Sequence, residues 1–235
     1  VRRVVLVSAP YPPRDADDAR RRDAARFSWD WHLARNLNIE EAKVIDPEGR
    51  PPTIVELLDW GCQLAQPRDI VVYANLDVGF VEDAFERIEA GIERGLGVTV
   101  CSRRSLPDPE PGVMYHDLSA LPRDLGIDAI AVSPAWWHRV GRPLMPPMRV
   151  GRGGWDVVFL LIAENWADRK PWTEAIDRNR VLESKAHTDG AIWHSPHMPA
   201  WYVAWKAGTS DELQKESTRL AREFVDKVGN PEVFE

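Results

Sequence analysis

Asp69 to Phe80 reads DIVVYANLDVGF, and this stretch decides the fold. The apolar, largely β-branched run Ile70–Tyr73 stops abruptly at Asn75-Leu76-Asp77. Branching at Cβ favours extended backbone, and a run apolar on both faces marks a central strand of a parallel sheet. Open α/β sheets bind ligands outside the carboxyl ends of their strands. Asn75 and Asp77 are therefore placed where a ligand would sit. Their oxygens suit a hard cation such as Mg²⁺ or Mn²⁺. The plainer reading makes Asn75 a turn and Asp77 the cap of a helix near residue 82.

Working outward, Val4–Val7 is another all-apolar run, followed by the turn-rich Ser8-Ala9-Pro10-Tyr11-Pro12-Pro13. Residues 14–37 are charged and helix-compatible, with Phe27, Trp31 and Leu37 as the expected buried stripe. Asp15, Asp17 and Asp18 suit the N-terminus of that helix. Ala42–Ile45 reads as a strand ending at Asp46. Thr53 and Glu56 have capping-box spacing and open an amphipathic helix from Ile54 to Gln66. Downstream of Asp77, a helix from Glu82 to Arg94 is closed by Gly95 and Gly97. Val98–Cys101 is the next strand, ending at Ser102-Arg103-Arg104.

A proline-rich stretch, 105–125, then precedes a strand at Ile127–Val132, and loops of this length are commonly functional. Ser133-Pro134 opens a short helix through Trp136 and Trp137, and Trp155-Asp156 opens an apolar helix over Val157–Trp166. Val181–Glu183 is a candidate short strand. Asp211–Val228 is an amphipathic helix with Ser210 as N-cap. The alternation of strand and helix predicts one α/β domain over residues 1–235, with helices on both faces of a mostly parallel sheet; the helix at 210–228 packs on it.

The 235 residues suffice for one sizeable core. A net charge of -7, with basic runs only at Arg20–Arg22 and Arg103-Arg104, argues against polyanion binding. Cys62 and Cys101 form neither a disulfide framework nor a metal-site spacing, and their apolar surroundings predict buried thiols. No apolar run approaches transmembrane length. No secretory signal is read in Val4–Val7, so the expected compartment is the cytoplasm.

Several residues could carry chemistry. Arg103 and Arg104, at a strand end, could pair with phosphate or sugar oxygens, or simply face solvent. Asp156 follows Gly153-Gly154-Trp155 at a helix N-terminus, where it is either a cap or a general base. The segment His187–His197 (HTDGAIWHSPH) holds half of the six histidines and suggests contact with a metal or phosphate. Without cysteine ligands or a paired-histidine helix motif, zinc ranks lower.

In order, these pieces resemble a GT-A-type nucleotide-sugar glycosyltransferase. The resemblance rests on Ser8-Ala9-Pro10 after the first strand, Arg50-Pro51-Pro52-Thr53, DIVVYANLDVGF, the strand ending in Ser102-Arg103-Arg104, GIDAIAVSPAWW (126–137), GGWDVVFLLIA (153–163) and HTDGAIWHSPH. ANLD is similar to an N-x-D variant of the family's D-x-D motif, with Asn in place of the first acid. The resemblance implies a Rossmann-type, three-layer α/β/α domain and transfer of a hexose from a UDP- or GDP-sugar to a hydroxyl on a glycan, metabolite or modified base. It further implies that Asp77, with His194 or His197, holds Mn²⁺ or Mg²⁺. Ser8, Ala9, Pro10, Asp46, Asn75, Arg103 and Arg104 would line the donor site, and Asp156 would act as base. A nucleotidyltransferase of the same fold is a competing expectation, although SAPYPPR lacks the Gly-rich basic loop of those enzymes. An inactive module that binds a nucleotide or glycan is a third.

Overall fold

The structure is a computed structural model describing residues 2–9, 15–36, 38–43, 51–151, 154–169, 184–195 and 212–228. The elements run β1 (Val4–Ser8), α1 (Ala16–Arg35), β2 (Ile39–Lys43), α2 (Ile54–Leu64), β3 (Ile70–Ala74), β4 (Val78–Phe80), α3 (Ala84–Arg94), β5 (Val98–Ser105) and β6 (Arg123–Val132). Next, α4 (Pro134–Trp136) continues through a π-helical turn (Trp137–Gly141) into α5 (Arg142–Leu144). The chain then forms α6 (Trp155–Asp168), β7 (His187–His194) and α7 (Glu212–Val228).

Among the described residues the strands make one seven-stranded sheet in the order β2-β1-β3-β6-β5-β7-β4. Five strands run in one direction, and β4 and β6 oppose them. Each face is apolar, as a sheet covered on both sides requires. Val5, Val7, Val71 and Tyr73 pack with Leu57 of α2 and Phe159 of α6. Val4, Leu6, Val72 and Phe80 pack with Trp29 of α1 and Ile88 of α3. This is the expected three-layer arrangement.

The Thr53–Glu56 capping box forms, with Thr53 N donating to Glu56 Oε2 at 2.7 Å and Glu56 N to Thr53 Oγ1 at 3.1 Å. Cys62 and Cys101 are buried free thiols, and burial pushes the pKa of both up to about 12. Other elements differ from expectation. In α1 the buried face carries Ala24, Ala25, Ser28, Trp29 and His32, while Phe27 and Trp31 are only half-buried. Strand β2 begins at Ile39, earlier than expected, because an edge strand tolerates the charged residues Glu40, Glu41 and Lys43. Strands β5 and β6 run longer than their apolar cores, since facing carboxylates neutralise the arginines. The turn residues 10–13, Leu37, Val44, Ile45, Val181–Glu183 and Ser210 lie outside the described residues.

Strand β4 is the main addition. Three residues are too few to register as an alternating pattern, and the strand exists through its neighbours. On one side it pairs with β7, with Val78 opposite His194. On the other, α1 side chains meet its backbone. Trp29 Nε1 donates to Val78 O at 2.7 Å, and Phe80 N donates to Ser28 Oγ at 2.9 Å. His32 Nε2 lies 2.9 Å from Val81 O. These contacts satisfy edge groups that would otherwise be buried without partners. Gly79 completes the fit, because a Cβ there would lie 2.1 Å from the Trp193 indole.

Candidate active site

The segment β3–β4 turns at Asn75, where Val78 N donates to Asn75 O at 3.1 Å. Asp77 therefore precedes a strand and not a helix. The N-cap position of α3 is Asp83, so Asp77 is not its cap. The β4–β7 register sets Asp77 beside His194, with Oδ2 3.3 Å from Nε2, and both residues are buried. A carboxylate oxygen and an imidazole nitrogen this close are two donors that would suit a divalent cation of the Mn²⁺ or Mg²⁺ type. Among the described residues no group of three or more His, Cys, Asp or Glu side chains could hold a metal. His197, the third candidate ligand, lies outside the described residues.

His187 and His194 are not brought together. They stand at opposite ends of β7, where an irregularity in the strand sets them opposite Val100 and Ser105 of β5, about 17 Å apart. Burial lowers the pKa of His187 to about 4.

A second constellation lies on the α6 side of the sheet. Tyr73 Oη donates to Asn75 Oδ1 at 2.5 Å, and Asn75 Nδ2 donates to Asp128 Oδ1 at 2.9 Å. Arg103 Nη1 donates to Asp128 Oδ2 at 2.5 Å. Asp128, in β6, is the candidate-site residue that pattern reading missed. The signal available was a carboxylate inside the apolar strand Ile127–Val132, which requires paired donors. Gly126 lets the Arg103 guanidinium lie against the strand, since a Cβ there would be 2.6 Å from Cζ.

Asp156 enters from α6, where Gly154 N donates to its Oδ1 at 3.2 Å. Gly154 has a φ of 109°, a conformation that a glycine adopts without strain. Burial holds the Asp156 carboxyl above the usual range. The charge of Asp128 pushes in the same direction, while N–H groups of Val157 and Gly154 oppose it. Neighbouring Trp155 meets the Tyr73 ring edge-on at 5.6 Å, which ties α6 to the carboxyl end of β3.

The remaining candidates fall in different places. Arg104 is the penultimate residue of β5. It grips Asp189 through Nε at 3.0 Å and Nη2 at 2.6 Å, and Nη1 donates to Leu121 O at 2.8 Å. Arg123 shares the same carboxylate at 2.7 Å. Ser8 ends β1, buried, and among the described residues its Oγ has no hydrogen-bond partner. Ala9 follows it, also buried. Pro10 and Asp46 lie outside the described residues.

No protein-family model matches the chain, and no curated protein matches it. Solved structures do. The catalytic domain of Drosophila β1,4-galactosyltransferase 7, in complex with xylobiose, aligns with a TM-score of 0.50 at 11% identity, over 94% of this chain and 81% of that one. S. aureus TarS 1–349, in complex with UDP-GlcNAc, aligns at 0.41 and 9% identity, over 95% of this chain and 71% of that one. A197 from STIV aligns at 0.41 and 12% identity, over 83% and 86%. The latter two likenesses are too distant to carry weight. The first establishes the fold: the chain has the GT-A-type α/β architecture. Among the described residues, no helix is long and apolar enough to cross a membrane.

Proposed function

We propose that the protein is a glycosyltransferase that moves a hexose from a nucleotide-diphosphate sugar to an acceptor hydroxyl, with a divalent cation. The observation that carries this reading is the Asp77–His194 pair, 3.3 Å apart at the turn following β3. The fold and the position of Asp156 support it.

Asp77 and His194 would hold and orient the cation, which would supply positive charge at the diphosphate leaving group. Ser8 and Ala9, at the end of β1, form the nucleoside end of the donor site, where the Ser8 hydroxyl, without a hydrogen-bond partner among the described residues, offers a hydrogen bond. Arg103, fixed by Asp128, presents its guanidinium to the donor sugar or phosphate. Arg104 holds Asp189 and so keeps β7 in register with β5. Asp156 accepts the proton of the acceptor hydroxyl as that oxygen attacks the sugar and the bond to diphosphate breaks. A carboxylate whose pKa is raised is a stronger base at neutral pH.

Thermal unfolding against a panel of UDP-, GDP- and CMP-sugars, with and without Mn²⁺, tests the proposal. Ligand at a hundred times its Kd adds about 2.7 kcal/mol. One kcal/mol moves the Tm of a chain this size by roughly 2–4 °C. The expected result is a rise of roughly 5–10 °C with one sugar nucleotide, dependent on Mn²⁺. No shift with any nucleotide would overturn the reading.

A further inference from the structure

The resemblance leaves an anomaly at position 75, where an amide stands in place of an acid. Both ends of that amide are engaged. Asn75 Oδ1 accepts from Tyr73 Oη at 2.5 Å, and Nδ2 donates to Asp128 Oδ1 at 2.9 Å. An ionised carboxylate only accepts, so the Asn75 NH₂ must face Asp128 and its oxygen must face the tyrosine.

The backbone explains why these two side chains meet. Antiparallel pairing of β3 with β6 places Ala74 opposite Ala129. The next step sets residue 75 opposite residue 128, and Asn75 N donates to Asp128 O at 3.0 Å. Side chains directly opposed in antiparallel strands are close enough to interact strongly. Asp128 is 9% exposed. A second carboxylate facing it would put two negative charges in a site poor in water, which is strongly unfavourable. Position 75 therefore carries an amide because position 128 carries the acid.

Resting on the transferase reading, we propose that the first acid of the D-x-D pair has moved across the strand pair to Asp128, which acts as a positioning residue. It holds Asn75 with one oxygen and Arg103 with the other. Asn75 is then a bridge within this network and not a metal ligand, and the cation relies on Asp77 and His194 for its protein contacts. Asp128 also ties the donor side to Arg103, so the guanidinium is oriented before substrate arrives.

The arrangement makes a specific prediction about exchange. Asn75→Asp alone opposes two carboxylates. Asp128→Asn alone removes the ion pair with Arg103. The exchange Asn75→Asp/Asp128→Asn restores one carboxylate facing one amide, keeps an acceptor for Tyr73 Oη, and leaves an amide oxygen for Arg103. The four proteins are compared by Tm without ligand and by the Mn²⁺-dependent Tm shift with the sugar nucleotide selected in the panel. Mn²⁺ affinity is followed separately by electron paramagnetic resonance.

Both single variants are expected to lose Tm and most of the ligand-linked shift. The exchange is expected to recover more than half of each loss, and to bind Mn²⁺ at least as tightly as wild type. If the losses merely add in the double variant, or if Asn75→Asp alone keeps the wild-type Tm and shift, the proposal is overturned while the transferase reading stands. If wild type shows no metal-linked shift with any sugar nucleotide, the transferase reading falls, and the positioning role falls with it.

Discussion

Asp156 carries opposite demands at the level of one residue. Its folded pKa is raised above the ordinary aspartate value, chiefly by burial. A group shifted in that direction contributes stability while protonated and loses it as pH rises through the folded value. At neutral pH its charge therefore costs stability while serving the proposed proton transfer. Asp156→Asn is expected to keep or raise Tm at pH 7, and to lower kcat by about 10²–10⁴-fold, the span typical of a general base. The same shift predicts that wild-type kcat/KM falls with decreasing pH before the ordinary aspartate range is reached. A pH–rate profile with an acid limb at or below that range would contradict the base role. Asp77, His194 and Asp156 were all legible as candidates, because each combines a chemically apt side chain with a strand or helix end. Asp128 was not, since its partners Asn75 and Arg103 are 53 and 25 residues away and meet it only through strand register.

Elements were legible where local chemistry defines them. The Thr53–Glu56 capping box and the apolar runs of β1 and β3 needed no tertiary information. Strand β4 did, because its three residues are held by β7 on one edge and by Trp29, Ser28 and His32 of α1 on the other. The same contacts explain the misplaced stripe of α1. Its buried face is set by the Ser28, Trp29 and His32 groups that reach β4, so Phe27 and Trp31 did not mark it. Gly79 is the critical position in this element, since its missing side chain is where the Trp193 ring lies. Gly79→Ala is expected to destabilise the protein by about 1–3 kcal/mol, as overpacking of a close-packed interior does. Urea unfolding followed by tryptophan fluorescence measures this, and an unchanged midpoint would show that Trp193 can move aside.

For the whole molecule, the sheet brings together residues that are far apart in sequence. Asp77 and His194 are separated by 117 positions and meet because edge strand β4 folds back onto β7. Antiparallel β6, inserted between β3 and β5, carries Asp128 to Asn75 and Arg103. The layered α/β class followed from strand–helix alternation. The reversal of β4 and β6 did not, because apolar strands give no sign of direction. One claim underlies the functional account: Asp77 and His194 together bind a cation that recruits the donor diphosphate. The most direct test is Mn²⁺ titration by electron paramagnetic resonance, with the nucleoside diphosphate of the sugar nucleotide selected in the panel present, on wild type, Asp77→Ala and His194→Ala. The account predicts tight, nucleotide-dependent Mn²⁺ binding in wild type and at least a tenfold weaker affinity in each variant, a loss of about 1.4 kcal/mol or more. Equal Mn²⁺ affinity in all three proteins would contradict it.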